Sequence, residues 1–131
     1  MTDDFQARID RVPYARTLGI QMINEDGCFL LPARKSNIGN PTLPALHGGA
    51  IAGFMELSAM IHVLSQGGSD STPKIVDFAV DFVRAGKFEE TFCRCELVFL
   101  GRKMINVSIT AWQDDPGRPI AKARAQFLVK D

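Results

Sequence analysis

Residues 46–66 carry no Lys or Arg and a single acid, Glu56, while Ile51, Phe54, Met55, Leu57, Ile61, Val63 and Leu64 are apolar. These positions fall on every face of a 3.6-residue period, so the stretch predicts one long helix buried all round. Gly39, Pro41 and Pro44 break the chain before it and Gly67-Gly68 stop it. After the helix the period drops to two. In residues 75–83, Val76, Phe78, Val80 and Phe82 alternate with Asp77 and Asp81. In residues 91–100, Cys93, Cys95, Leu97 and Phe99 oppose Arg94 and Glu96. Residues 103–112 set Ile105, Val107, Ile109 and Ala111 against Asn106, Ser108 and Thr110. Residues 120–129 set Ala121, Ala123, Ala125, Phe127 and Val129 against Lys122, Arg124 and Gln126. Each reads as a half-buried strand. Asp114-Asp115-Pro116-Gly117 reads as a turn.

Upstream, residues 18–23 and 28–31 form a hairpin across Glu25-Asp26-Gly27, where Asp-Gly is a strong turn signal. Residues 3–11 suggest a short helix with Phe5 and Ile9 four apart, ending before Pro13, and residues 33–44 suggest a loop. A helix apolar on every face must be wrapped, and the strands on either side are the material for it. The expected architecture is α+β, a single domain over residues 1–131: hairpin, central helix, then an antiparallel meander of four strands with one wetted face. The row of alanines near the C-terminus leaves room for the helix.

The 46% hydrophobic and 23% charged composition is that of an ordinary globular chain, and the net charge of zero gives no electrostatic case for nucleic acid or an anionic membrane. The helix carries Glu56, His47 and His62, which argues against a membrane span. Met-Thr-Asp-Asp at the start lacks an apolar signal segment. Three cysteines, Cys28, Cys93 and Cys95, with no second pair and no nearby His, read as buried thiols rather than a zinc site, and a reducing cytoplasm is expected.

The candidate chemistry sits on the helix. A lone carboxylate in apolar surroundings is costly unless it is paired or used, which singles out Glu56. His47-Gly48-Gly49 begins the helix at its positive end, where backbone N–H groups point outward and glycine admits a ligand close to the backbone. The other reading of the glycines is tight packing of helix on sheet. That of Glu56 is a structural pairing with a buried donor, and His62 reads as a packed or interface histidine.

His47-Gly48-Gly49 with an acid nine residues after the His, followed by Val80-Asp81-Phe82-Val83-Arg84 and Gly101-Arg102-Lys103, resembles the hotdog-fold acyl-CoA thioesterases. The nearest branch is the phenylacetate-pathway and 4-hydroxybenzoyl-CoA type, and the likeness runs over about residues 18–129. It implies a curved antiparallel sheet wrapped around one central helix. It implies hydrolysis of an acyl- or aryl-CoA thioester with no metal or redox cofactor. The Gly48 N–H would polarise the carbonyl, Glu56 would act as nucleophile or general base, and His47 would bond the carbonyl, unless it only caps the helix. Gly49 and Asn40 would bind substrate. Arg84, Arg102 and Lys103 lie at the ends of predicted strands, where they either bind substrate by pairing with coenzyme A phosphates or are plain solvated charges.

Relatives often carry Asn or Gln six residues before the His; here Pro41 stands there and Asn40 lies one further back. Some have Thr four residues after the acid; here it is Met60, with Ser58 the nearest hydroxyl. The acyl group stays open, because Phe54, Met55, Met60, Phe78 and Phe82 serve a pocket or a core equally. Two other readings compete: a non-catalytic acyl-CoA binding protein, and a hotdog hydratase or dehydratase with His47 as base.

Spacing adds an independent expectation. Gly48 and Glu56 are separated by roughly 12 Å of helical rise and about 80° of rotation. One thioester cannot touch both at about 3 Å within one chain. Two antiparallel helices about a two-fold axis can bring Gly48 of one beside Glu56 of the other. The resemblance implies the same homodimer, with active sites at its interface, and leaves room for a dimer of dimers.

Overall fold

The computed structural model describes residues 18–24, 26–33, 48–67 and 73–128. The helix expected over residues 3–11 and nearly all of the loop expected over residues 33–44 lie outside them. The described elements are β1 (Gln21–Met22), β2 (Cys28–Leu31), α1 (Gly48–Gly67), β3 (Lys74–Phe82), β4 (Thr91–Leu100), β5 (Met104–Trp112) and β6 (Ala121–Leu128). The strands form one antiparallel sheet in the order β1-β2-β4-β5-β6-β3. This is the hotdog arrangement: a single sheet with one long helix against it.

The last four strands are not a sequential meander. β4, β5 and β6 are, but β3 crosses over to the far edge and pairs with β6. Side-chain size explains the choice. In the β3–β6 register Phe78 lies opposite Ala125, Val80 opposite Ala123 and Phe82 opposite Ala121. The small residues of β6 therefore make room for the large residues of β3 as well as for α1, which packs against β3 through β6.

Two β-bulges correct the predicted alternation. One between Ile75 and Asp77 moves Val76 off the inner face and leaves it 44% exposed, while Ile75 takes the inner place opposite Phe127. The other, between Leu97 and Phe99, turns Phe99 to the outer side opposite Asn106, where it is 56% exposed. A bulge sets two residues against one and reverses the pleat beyond it, and no period-two count anticipates that.

The core lies between sheet and helix, around Phe29, Leu31, Phe54, Met55, Ile109 and Phe127. Cys93 and Cys95 share the inner face as expected. They and Cys28 are buried free thiols, and burial pushes the Cys95 thiol well above its usual range. Cys28 accepts a hydrogen bond from Arg94 Nε at 3.4 Å.

α1 is not buried on every face. Ile51, Phe54, Met55, Ser58, Ala59, Ile61, His62 and Val63 are covered, whereas Gly49, Ala52, Glu56, Met60 and Leu64 form a stripe that is exposed or half-buried. The sheet covers one side of the helix, and the apolar residues left on the stripe exceed what one sheet can bury. By length and composition Gly48–Gln66 also suffices to cross a membrane, contrary to the sequence expectation; its packing on the sheet accounts for its apolar character.

The hairpin turn locks against the far part of α1. Gly27 has φ 96°, a conformation that costs little only for glycine. A Cβ there would stand 2.6 Å from the Cys95 carbonyl oxygen and 3.0 Å from His62 Cε1. The Gly27 carbonyl accepts from Cys95 N–H at 2.8 Å, and Asp26 N–H donates to Asn24 Oδ1 at 2.9 Å. Gly27→Ala is therefore expected to lower the unfolding free energy by about 2–4 kcal/mol, from backbone strain plus overpacking. Chemical denaturation of the variant measures it, and a loss below about 0.5 kcal/mol contradicts the strained-turn account.

His62, pressed into that turn, is buried, and its Nδ1 has no hydrogen-bond partner among the described residues. Burial lowers its pKa below the ordinary 6.5, and the charge of Asp26 offsets this only in part. The unfolded chain thus binds a proton more readily than the folded one below pH 6.5. The contribution of neutral His62 is complete above that pH and is lost as pH falls through the depressed folded value. Thermal unfolding between pH 7.5 and 5 should show a falling midpoint, and His62→Leu should flatten that slope. An unchanged slope would place the pH dependence elsewhere.

Candidate functional site

The N-terminus of α1 opens onto a cleft of about 370 Å³ lined by Gly48, Ile51, Phe82, Val83, Arg84, Ala85 and Gly86. The first helical N–H groups have no carbonyl four residues back, so the Gly48 N–H points out of the helix at its positive end. The facing wall comes from the end of β3 and is fixed by the start of β6. Val83 and Arg84 N–H groups both donate to the Ile120 carbonyl, at 2.8 and 3.1 Å, and Arg84 Nη1 donates to the Pro119 carbonyl at 2.8 Å. The crossover of β3 to β6 is what brings these residues to the helix N-terminus.

The surroundings of Gly48 bear on why it is glycine. A Cβ at this position would meet the tip of the Phe82 ring at 3.5–4.0 Å, an ordinary contact. Gly48 is itself exposed. Close packing of helix on sheet therefore does not demand glycine here, which favours an open approach to the backbone.

Glu56 lies two turns along α1, roughly 12 Å up the axis, half-buried on the stripe with Ala52 and Met60. The buried donor that a purely structural carboxylate needs is not found among the described residues. Ser58 cannot stand in for the missing Thr: it lies about 200° round the helix from Glu56 and is fully buried, its Oγ without a partner among the described residues. His62 sits roughly 21 Å along the helix from Gly48, packed in the hairpin turn, and takes no part in this cleft. His47 and Asn40 lie outside the described residues.

The three cations proposed from sequence are divided. Arg84 is in the cleft wall, whereas Arg102 and Lys103 are in the β4–β5 turn at the opposite end of the sheet. The nine residues of β5 separate the two ends by roughly 30 Å. A neighbouring hollow of about 290 Å³ shares Arg84 and Ala85 with the cleft and continues to Lys87, Gln113, Asp115 and Arg118. The sequence reading passed over Lys87 and Arg118, since they flank β3 and β6 and become neighbours only through that pairing. Gln113 ties the rim together: its Nε2 donates to the Lys87 carbonyl at 2.8 Å, and its Oε1 accepts from Lys87 N–H at 3.1 Å.

Among the described residues no three His, Cys, Asp or Glu side chains are placed to hold a metal ion. The arrangement offers one backbone donor at the helix start, one half-buried carboxylate further along the helix, and a rim that sets Arg84, Lys87 and Arg118 beside Asp114 and Asp115.

Comparison with solved structures finds the same fold. A protein from Chromobacterium violaceum is 39% identical over 98% of this chain and 91% of its own, with a TM-score of 0.80. A phenylacetic acid degradation-related protein from Ralstonia eutropha is 22% identical, over 95% and 99%, with a TM-score of 0.77. Thioesterase superfamily member 2 from Mus musculus is 15% identical, over 99% and 98%, with a TM-score of 0.83. The comparison with curated proteins returned no match. The family model described as thioesterase superfamily matches residues 43–120. That span is well over half of the chain and holds α1, both walls of the cleft and the strands from β3 to β5, so the chain belongs to the thioesterase superfamily.

Proposed function

We propose that the protein is an acyl-CoA thioesterase that works as a homodimer, each active site being shared by two chains. The observation that carries this reading is the placement of Gly48 and Glu56 two turns apart on one helix, with Glu56 on the uncovered stripe of α1. A two-fold axis that sets two such helices antiparallel brings the cleft at Gly48 to Glu56 of the partner subunit. β3 supports the same assembly. It is a nine-residue edge strand, unpaired on its outer side among the described residues, and such an edge is a template for another strand.

In this site the Gly48 N–H donates to the thioester carbonyl. Glu56 of the partner subunit takes a proton from a water molecule, and the oxygen of that water adds to the carbonyl carbon. The tetrahedral oxyanion stays on the Gly48 N–H. Its collapse breaks the carbon–sulfur bond, and the protonated Glu56 returns its proton to the leaving thiolate, giving free acid and coenzyme A. Direct attack by the Glu56 carboxylate, through an anhydride that water then opens, uses the same geometry. Neither route needs a metal or redox cofactor. Gly49 keeps the approach open, His47 and Asn40 assist at the carbonyl, and Arg84 pairs with coenzyme A phosphate. Arg102 and Lys103 join a given site only from the partner subunit. Three free buried thiols suit a reducing cytoplasm.

Release of free thiol from a panel of acyl- and aryl-CoA esters tests the activity. Glu56→Ala is expected to lower kcat by about 100- to 10,000-fold while the variant stays folded. Near-normal turnover removes Glu56 from the chemistry, and tight binding of the esters without thiol release from the native protein favours the non-catalytic binding reading.

Mixing two inactive variants tests the shared site. One carries Glu56→Ala and the other Gly48→Val, which crowds the oxyanion position. In a heterodimer one site keeps Gly48 from the first chain and Glu56 from the second, while the other site holds both lesions. Subunit exchange should restore about half the native activity per heterodimer, since one of two symmetric sites is whole. Verified heterodimers without activity reject the shared site.

A further inference from the structure

We infer that Ala52 lies on the two-fold axis of the homodimer and sets the spacing of the two copies of α1 at which each site closes. The inference rests on the thioesterase reading for the partnership of Gly48 with Glu56. It adds where the two chains meet, and its first readout is independent of activity.

Ala52 lies midway between Gly48 and Glu56 in the chain. On α1 each half is roughly 6 Å of rise and about 40° of rotation. Ala52 therefore bisects both the distance and the angle between the backbone donor and the carboxylate. A two-fold axis perpendicular to α1 sets each residue level with the one equally far beyond the axis on the other chain. Gly48 falls level with Glu56 of the partner subunit only when that axis passes at Ala52. Ala52 then faces the partner subunit's Ala52, and the two sites lie roughly 6 Å to either side.

The uncovered face of α1 suits that contact. Between Gly48 and Met55 the residues left exposed or half-buried are Gly48, Gly49 and Ala52. None has a side chain larger than a methyl group. A helix face that stays in water ordinarily carries polar and charged side chains, and this one carries none. Longer side chains begin on the row at Glu56, the one that has to reach across, and continue with Met60. Helix axes pack about 8–10 Å apart according to the side chains at the contact, so Gly and Ala give the closest approach. A bulkier residue at position 52 would meet its own copy and hold the helices apart. Both sites would open together, because each takes its donor from one chain and its carboxylate from the other. A misplacement of about 1 Å can lower a rate by about 100-fold. Ala52 is thus a positioning residue, acting through the separation of Gly48 and Glu56 and not on the substrate.

The test replaces Ala52 with Cys and oxidises the protein mildly with diamide. A disulfide needs Cβ atoms about 3.5–4.5 Å apart, a distance that side chains facing each other across the axis can reach. Met60→Cys is the control, since its two copies would lie roughly 24 Å apart along the helices. The native protein, with Cys28, Cys93 and Cys95 as buried free thiols, reports any background. Ala52→Cys should give a covalent dimer in about tenfold higher yield than Met60→Cys or the native protein. The linked dimer should release thiol from acyl-CoA esters at a rate within about threefold of the same variant kept reduced, because the link holds the working geometry. Ala52→Phe, checked for folding by circular dichroism, should lose about 100-fold in kcat; if it does not fold, the cross-link still decides. No cross-link through Ala52→Cys in a protein that hydrolyses the esters overturns the axis while the thioesterase reading stands. A linked dimer that loses its activity, or near-native turnover by folded Ala52→Phe, does the same. A cross-link in a protein that releases no thiol from any ester supports the axis and overturns the hydrolase. Neither cross-link nor hydrolysis overturns both.

Discussion

The structure depends on a mismatch between one helix and one sheet. α1 carries enough apolar surface to be covered on all sides, yet a six-stranded sheet curves over only one of them. Burying Phe54, Met55 and Ile61 against the sheet contributes about 1.5–3 kcal/mol for each side chain, and this holds helix and sheet in a single core. The residue of the mismatch is the stripe of Ala52, Glu56, Met60 and Leu64. In a chain stable alone such a stripe would be polar. Here it is mostly apolar and bears one carboxylate, so the feature that leaves the fold incomplete also displays its candidate catalytic group.

Much of the architecture was legible in the sequence because it follows from two periods. The charge-free run of α1 and the alternation of β4, β5 and β6 specify their elements locally. The partnering of β3 was not legible, since the large-against-small match of Phe78 and Val80 with Ala125 and Ala123 concerns residues more than forty positions apart. The bulges at Val76 and Val98 escaped for a related reason: each shifts one residue out of phase with no Gly or Pro to mark it. Burial of α1 was overstated because periodicity reports which faces are apolar, not which of them this chain covers.

The candidate site was legible in part for the same reasons. Gly48 and Glu56 stand out locally, one as a helix-start glycine and the other as the single acid in its run. The wall facing Gly48 is made by residues 82–86, and nothing near Gly48 in sequence indicates them. Arg84 was singled out as a strand-end cation, yet its grouping with Lys87 and Arg118, and its separation from Arg102 and Lys103, follow only from strand order. Pairing by chemistry alone put three cations into one role; sheet topology divides them by the length of a strand.

The two surfaces left open, the outer edge of β3 and the stripe of α1, bear on each other through Phe82. β3 lies at the sheet edge against α1, and its last residue, Phe82, lines one cleft with Gly48, the first residue of the helix. In the proposed dimer a single two-fold axis serves both surfaces. Pairing of two β3 edges would satisfy main-chain groups left without a strand partner among the described residues, and the helix stripes would come together beneath them. Main-chain pairing fixes register to within one residue, because a slip of one would turn every side chain of β3 to the opposite face. Such a constraint is what a shared catalytic site requires. A donor on one chain and a carboxylate on another act together only when their separation is held to within about half an ångström. Loosely packed apolar stripes cannot supply that precision, whereas a strand edge can. In the proposed dimer the edge of β3 would thus serve the chemistry as well as the assembly: it would set where Glu56 of the partner subunit meets the cleft lined by Gly48 and Phe82.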